Sequence, residues 1–179
     1  VQVVGREKSV LVEDIIISSG VYSDKFAKKF GVKVPIQSER GYHLELHETD
    51  IKLKYPIMNG YLKLAITPKP TGIRFAGLVE FGSLNSNPNP KAFELLMRNA
   101  NSMFPGIKFK TKQEWSGHRP STVDSLPVIG SSSVNKKIHF GYGHHHIGLT
   151  GGPKTGKILS KTILRDNEKL DIESFNPSR

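Results

Sequence analysis

The sequence predicts an α+β fold in which an antiparallel sheet is flanked by one strand and one C-terminal helix of α/β type. Between residues 40 and 81, apolar and polar residues alternate in successive short segments, the pattern of strands with one solvated face. Asn59-Gly60 and Thr71-Gly72 separate these segments with turn residues. Residues 15–17 are three consecutive isoleucines, typical of a strand that is covered on both faces.

Three helices, a hairpin, four further strands, an irregular segment and a tail complete the predicted elements. Ser23 is predicted to cap a short helix that ends at Gly31, and Asn89-Pro90 to begin a helix over 90–104. A glycine cluster leads into a last helix near 154–164. The other predicted features are a hairpin of 1–4 with 10–17, strands at 51–55, 61–66, 107–113 and 138–140, an irregular segment over 116–133, and a loose polar tail from 166.

The composition excludes several classes of protein. The chain has 179 residues, of which 36% are hydrophobic and 23% charged, as in soluble globular proteins, and no apolar stretch approaches the length of a membrane span. It has no cysteine, so it has no disulfide, thiolate zinc site or catalytic thiol. The first residue is valine and no signal peptide follows, so we expect the chain to be part of a longer protein.

A net charge of +10 favours anionic partners, such as nucleic acid, an acidic membrane surface or an acidic ligand. The lysines are dispersed along the chain, however, with no run of five like charges and no arginine-rich arm. We therefore interpret them mainly as solvated surface and predict no nucleic-acid partner; a basic nucleic-acid-binding domain is the least favoured alternative.

Three local patterns suggest sites that their context does not support. Residues 151–157 match G-x-x-x-x-G-K, but Ile158 stands where a P-loop needs Ser or Thr. His144-His145-His146 are adjacent, so their side chains rarely converge on one metal ion, and we predict no metal site. Ser116, His118, Ser121 and Asp124 have the letters of a hydrolase triad but no G-x-S-x-G elbow.

Arg119 is the strongest single candidate for a binding residue. It lies between Gly117 and Pro120 on a segment that is predicted to be rigid, and its planar guanidinium suits a carboxylate. The alternative is a structural ion pair with Asp124 or Glu80. The glycines at 143, 148 and 151 precede a helix whose free N–H groups suit an anionic or carbonyl oxygen.

Two long segments resemble the FAD-dependent D-amino-acid oxidoreductases, the group of D-amino-acid dehydrogenase small subunits and glycine oxidase. Residues 115–130, W-S-G-H-R-P-S-T-V-D-S-L-P-V-I-G, resemble the family's G-x-R-P-x-T-x-D-x-x-P-x-I-G segment. Residues 143–156 resemble its G-H-x-x-x-G-x-x-x-x-P-x-T-G segment, and residues 15–23 its V-V-x-A-x-G-x-W-S turn. The family's N-terminal G-x-G-x-x-G fingerprint has no counterpart here. The chain therefore resembles the C-terminal portion only.

The resemblance implies an enzyme that oxidises the C–N bond of a D-amino acid by hydride transfer to FAD, in amino-acid catabolism. It implies that Arg119 holds the substrate carboxylate, that His145 and His146 lie near the substrate, and that the backbone at six residues meets the flavin. This set is Gly20, Gly143, Gly148, Leu149, Thr150 and Gly151. It names no side-chain general base, and it predicts that this chain alone binds FAD weakly or not at all.

The resemblance also divides the chain into expected domains. Residues 1–34 and 115–165 would belong to an incomplete FAD-binding α/β domain, residues 35–114 to an antiparallel-sheet substrate domain that contains the 90–104 helix, and residues 166–179 to a tail. The alternative is a non-catalytic subunit or binding module that completes a split flavoenzyme with a separate FAD-domain chain. We expect a cytoplasmic protein, with peripheral association with the inner membrane left open.

Overall fold

A computed structural model of the chain confirms the α+β class, with the antiparallel sheet and the C-terminal helix. It describes residues 2–4, 8–166 and 171–179. The strands are β1 (Gln2–Val4), β2 (Ser9–Leu11), β3 (Ile15–Ile17), β4 (Ile36–His47), β5 (Ile57–Asn59), β6 (Leu64–Lys69), β7 (Gly72–Phe81), β8 (Thr111–Thr122), β9 (Val128–Ser131) and β10 (Ile138–Tyr142). The α-helices are α1 (Asp24–Ala27), α2 (Pro90–Met103) and α3 (Gly148–Leu164).

Two compact units divide the chain. The first contains residues 1–38 and 119–179, and the second contains residues 39–118. The assignment of the predicted domains to flavin and substrate binding stays a prediction.

The second unit is built on a five-stranded sheet in the order β5-β6-β7-β4-β8. One face of this sheet packs against α2 through a core that includes Leu44, Phe75 and Leu96, none of which is exposed. Asn89 caps α2 as predicted, because its side chain accepts the N–H of Lys91 at 3.1 Å. The alternation of β4 and β7 therefore separates one apolar face from one polar face.

The first unit contains a three-stranded sheet in the order β3-β10-β9. β10 runs parallel to β3 and antiparallel to β9, with Phe140 opposite Ile17 on one side and opposite Gly130 on the other. The helix α3 packs on β9 and β10, where Ile158 and Leu159 are buried together with Ile129. β1 and β2 form a separate antiparallel pair.

Some expected elements differ from the structure near the beginning of the chain. The hairpin pairs β1 with β2 only, its turn lies in part outside the described residues, and residues 15–17 join another sheet. Ile16 is half-exposed rather than covered on both faces, because β3 is an edge strand in the described part of the sheet. Ser23 makes no side-chain cap, since its backbone is already helical, whereas Gly31 ends the helical segment as predicted with a positive φ of 80°.

Other differences concern the strands of the second half and the last helix. Residues 51–55 form no strand, although Ile51 and Leu53 do pack on the core. The strands predicted at 61–66 and 107–113 correspond to β6 and β8, both of which lie further towards the C-terminus. The segment 116–133 was expected to be irregular, but β8 and β9 occupy most of it. The helix near 154–164 begins six residues earlier, at Gly148. Of the predicted loose tail, residues 167–170 lie outside the described part. The expectation was wrong for residues 171–179, because Ile172 and Phe175 pack on the core of the first unit and Arg179 binds Asp124.

Candidate functional site

The carboxyl edge of the three-stranded sheet carries two of the glycines that the sequence singled out. Gly20 and Gly143 each lie three residues beyond the paired residues Ile17 and Phe140 of the parallel strands β3 and β10. Both have positive φ, 59° and 83°, where a side chain would be strained. In open α/β sheets, ligands bind outside the carboxyl ends of parallel strands. This edge therefore has the position and the backbone for a close ligand approach.

The helix α3 begins beside this edge. Its residue before the first turn, Ile147, forms no side-chain cap, and the first turn contains no acidic residue. A short 3-10 turn, His145–Ile147, leads into α3. An α-helix leaves the N–H groups of its first three residues, here 148–150, without partners four residues back, and they lie at the positive end of the helix dipole. The N–H of Gly151 is the first that the helix itself bonds. Leu149 is 95% exposed. The turn thus offers N–H donors beside an apolar side chain.

The side chain of His144 packs against the first turn of α3. A Cβ at Gly148 or Gly151 would lie 3.6 or 3.3 Å from atoms of the His144 side chain. Nε2 of His144 lies 2.8 Å from the Thr155 hydroxyl, which itself donates to the Gly151 carbonyl at 3.0 Å. The hydroxyl therefore accepts from Nε2–H, and burial lowers the pKa of His144. The neutral side chain of His144 thus supports the start of α3 through its contacts with the first turn and with Thr155.

His145 has a different partner from His144. Its Nε2 accepts the backbone N–H of Thr122 at 2.9 Å, so the proton of the neutral ring lies on Nδ1. His145 also has a positive φ of 49°. His146 is exposed. Because His144 and His145 turn to different partners, the three histidines do not converge, and the described residues contain no group of three His, Cys, Asp or Glu that could hold a metal ion.

Arg119 lies half-buried on β8, three residues before Thr122. This separation is about 10 Å along a strand, so Arg119 lies on the strand that His145 ties to the loop before α3. The alternative interpretation was a structural ion pair of Arg119 with Asp124 or Glu80, and both of these carboxylates have other arginine partners. Asp124 binds Arg179 at 2.7 Å, and Glu80 lies 3.6 Å from Arg40.

The other patterns from the sequence fall into ordinary structural roles. The G-x-x-x-x-G-K match lies inside α3 and is not a loop. Of the residues that have the letters of a hydrolase triad, Ser116 and His118 lie on β8, while Asp124 is bound by Arg179. That hydrogen bond lowers the pKa of Asp124 to about 2, although burial opposes the shift.

The polar face of the five-stranded sheet carries a group that the sequence did not indicate. His43 stacks on Trp115, and Arg74 binds Glu45 through Nε at 2.6 Å. Burial alone would raise the pKa of Glu45, but the hydrogen bond and charge of Arg74 outweigh it and hold that pKa below its ordinary value. Burial, and then the charge of Arg74, lower the pKa of His43. Only the two-residue spacing of His43 and Glu45 in β4 could have suggested that they share a face.

The residues at the start of α3 fit the ring end of FAD. The uncapped first turn offers N–H donors to an electron-rich ring edge, and the glycines at the strand ends allow close backbone approach. The sequence contains no G-x-G-x-x-G fingerprint, so the fit is limited to that end.

Comparison with known proteins identifies the family of the chain. The profile described as "FAD dependent oxidoreductase" matches residues 1–162. A D-amino-acid oxidase from Bradyrhizobium diazoefficiens is 30% identical over 183 residues, covering 100% of this chain and 44% of that protein. A glycine oxidase from Bacillus licheniformis is 31% identical over 182 residues, covering 100% of this chain and 49% of that protein. The chain thus spans about half the length of these curated relatives.

A solved structure shows the same fold. The crystal structure of glycine oxidase from Geobacillus kaustophilus superimposes with a TM-score of 0.83 at 18% identity, covering 97% of this chain and 47% of that one. None of the helices in the described part is long and apolar enough to cross a bilayer. From the profile match over most of its length, we conclude that the chain belongs to the FAD-dependent oxidoreductase family.

Proposed function

We propose that this chain forms the C-terminal part of an FAD-dependent oxidoreductase that oxidises the C–N bond of a D-amino acid or glycine. The observation that carries the proposal is the uncapped start of α3 beside Gly20 and Gly143 at one sheet edge. The names of the two curated relatives, D-amino-acid oxidase and glycine oxidase, support this substrate class. When bound, FAD supplies the two-electron acceptor for this oxidation.

The residues of the chain would bind and orient. The guanidinium of Arg119 would hold the substrate carboxylate through paired charge-assisted hydrogen bonds. The backbone of residues 148–150 would stabilise negative charge on the ring through its N–H groups and the helix dipole. His145 would keep Thr122, and with it the end of β8, against the loop before α3. No side chain is assigned the transfer of a proton.

The role of Arg119 is tested in the full-length protein with D-alanine and glycine as substrates. Arg119→Ala should raise KM by about 30- to 700-fold, which corresponds to a loss of about 2–4 kcal/mol of charge-assisted bonding. Arg119→Lys keeps the charge without the planar fork, so its KM should lie between that of the unchanged protein and that of Arg119→Ala. Arg98→Ala on α2 is the matched control. An unchanged KM in Arg119→Ala would remove Arg119 from the site.

A second candidate is a non-catalytic subunit that completes a split flavoenzyme. A cavity of about 590 Å³ lies between α3 and residues of β3 and β10, and small residues of α3 line it at four-residue intervals. These are Gly148, Gly152, Gly156 and Ser160. Ile16 and Leu164 are exposed beside it, whereas Leu159 is buried. Co-purification with a chain that carries G-x-G-x-x-G would favour this candidate, and a monomer that binds no hydrophobic dye would contradict it.

A further inference from the structure

A second cavity of about 310 Å³ lies in the first unit, at the amino edge of the three-stranded sheet. Asp14 precedes β3, and His139 is the second residue of β10, so both lie where these parallel strands begin. Arg165, at the C-terminal end of α3, also lines the cavity. The cavity is therefore at the opposite end of the strands from Gly20 and Gly143.

The floor of this cavity is a hydrogen-bonded chain of three side chains. His139 is 2% exposed, its Nε2 lies 2.8 Å from Asp14 Oδ1, and its Nδ1 lies 3.0 Å from Ser131 Oγ. A carboxylate only accepts, so Nε2 carries the proton of the neutral ring and Nδ1 accepts the hydroxyl proton of Ser131. The hydroxyl of Ser131 is then occupied as a donor.

The rim of the cavity is cationic. Lys136, Lys137 and Arg165 line it, all three are exposed, and within the described ranges none of them is in an ion pair. The carboxylate in the lining, that of Asp14, is already engaged by His139. Three cations around one concave surface repel each other, and a bound anion relieves that repulsion.

The size and donors of the cavity indicate a small, highly charged anion. Cavities that bind small molecules have volumes of roughly 300–1,000 Å³, so this one suits a compact ligand. The planar fork of arginine and the point charges of two lysines match phosphate oxygens. We propose that this cavity binds the phosphate group of a small phosphorylated ligand or free phosphate, held by Lys136, Lys137 and Arg165.

The test is calorimetric titration of the purified full-length protein with inorganic phosphate and with ethyl phosphate. We expect saturable binding of one equivalent. Tighter binding of ethyl phosphate than of inorganic phosphate would identify a phosphorylated ligand, and equal affinity for the two would identify free phosphate. Both outcomes support the site. No saturable binding of either compound would overturn it.

Variants separate this site from general attraction by a basic protein. The triple variant Lys136→Gln, Lys137→Gln, Arg165→Gln should weaken phosphate binding by at least about tenfold. The control variant Lys52→Gln, Lys54→Gln, Lys112→Gln removes the same charge from exposed positions of the second unit and should keep the affinity. An equal loss in both variants would show unspecific attraction and reject the proposal. The assay does not depend on FAD or on oxidation, so its outcome is independent of the proposed function.

Discussion

The imidazole of His43 stacks on the indole of Trp115, with ring centroids 4.7 Å apart and an angle of 14° between the planes. The absence of a side chain at Gly117 makes this arrangement possible. A Cβ at that position would lie 2.2 Å from the indole ring, far inside contact distance. The glycine that the family motif contains here thus makes room for an aromatic side chain on the same strand.

We predict that Gly117→Ala displaces the indole and separates it from His43. Trp115 is the only tryptophan of the chain, so its fluorescence emission should shift to longer wavelength as the ring becomes more exposed. The cost in stability should be about 1–2 kcal/mol, because the half-exposed ring can move into solvent. Gly60→Ala is the control, since a Cβ there meets nothing within 4 Å. An unchanged emission spectrum in Gly117→Ala would contradict the packing described.

His144 should make the protein less stable in mild acid. Burial lowers its pKa from the ordinary 6.5, so below about pH 6.5 the unfolded chain takes up a proton that the folded chain resists. The free energy of unfolding therefore falls as the pH decreases from 7.5 to 5.5. His144→Gln keeps an N–H donor for Thr155 and should reduce this fall.

Urea unfolding at the two pH values measures the effect of His144. His146→Gln, at an exposed neighbouring position, should leave the pH dependence as it is in the unchanged chain. If both variants behave alike, His144 is not the titrating group.

Asp124 and Arg179 should stabilise the first unit down to strongly acidic pH. The hydrogen bond from Arg179 lowers the pKa of Asp124 from 3.8 to about 2. A carboxylate whose pKa is lowered contributes stability that is complete above its unfolded value and is lost as the pH falls towards its folded value. The relevant range is therefore pH 4 to 2.

Asp124→Asn should lower the free energy of unfolding at pH 7 by about 1 kcal/mol, a figure reduced for the partial exposure of the carboxylate. It should also flatten the loss of stability between pH 4 and 2, as measured by circular dichroism during acid titration. Glu94→Gln, at an exposed position of α2, is the control for the loss of one charge. A variant as stable as the parent at pH 7 and equally sensitive to acid would refute the role of this pair.

The 179-residue chain purified by itself should bind little FAD. Its first helix turn in α3 provides donors for the ring end, but the sequence has no G-x-G-x-x-G loop for the pyrophosphate. Absorbance at the flavin wavelengths after gel filtration with excess FAD measures the bound fraction. A stoichiometric yellow protein would refute this expectation.

Several predicted elements were wrong for identifiable physical reasons. The alternation of residues 51–55 arises because Ile51 and Leu53 pack on the core from an irregular segment, which produces the same pattern as a strand. Pro120 suggested irregular backbone, but β8 is at the edge of its sheet, where a residue without an N–H is tolerated. Gly148, Gly151 and Gly152 suggested a loop, yet they lie in α3, which packs on β9 and β10.

The sequence by itself determined the features that depend on neighbouring residues: the start of α2 at Asn89-Pro90, the alternation of β4 and β7, and the motifs that place the chain in its family. Only the tertiary structure decided the pairs that join distant segments. His139 meets Asp14 across 125 positions, and Asp124 meets Arg179 across 55. Such contacts depend on how strands are ordered in a sheet and where a helix packs, and local propensity contains no information about either.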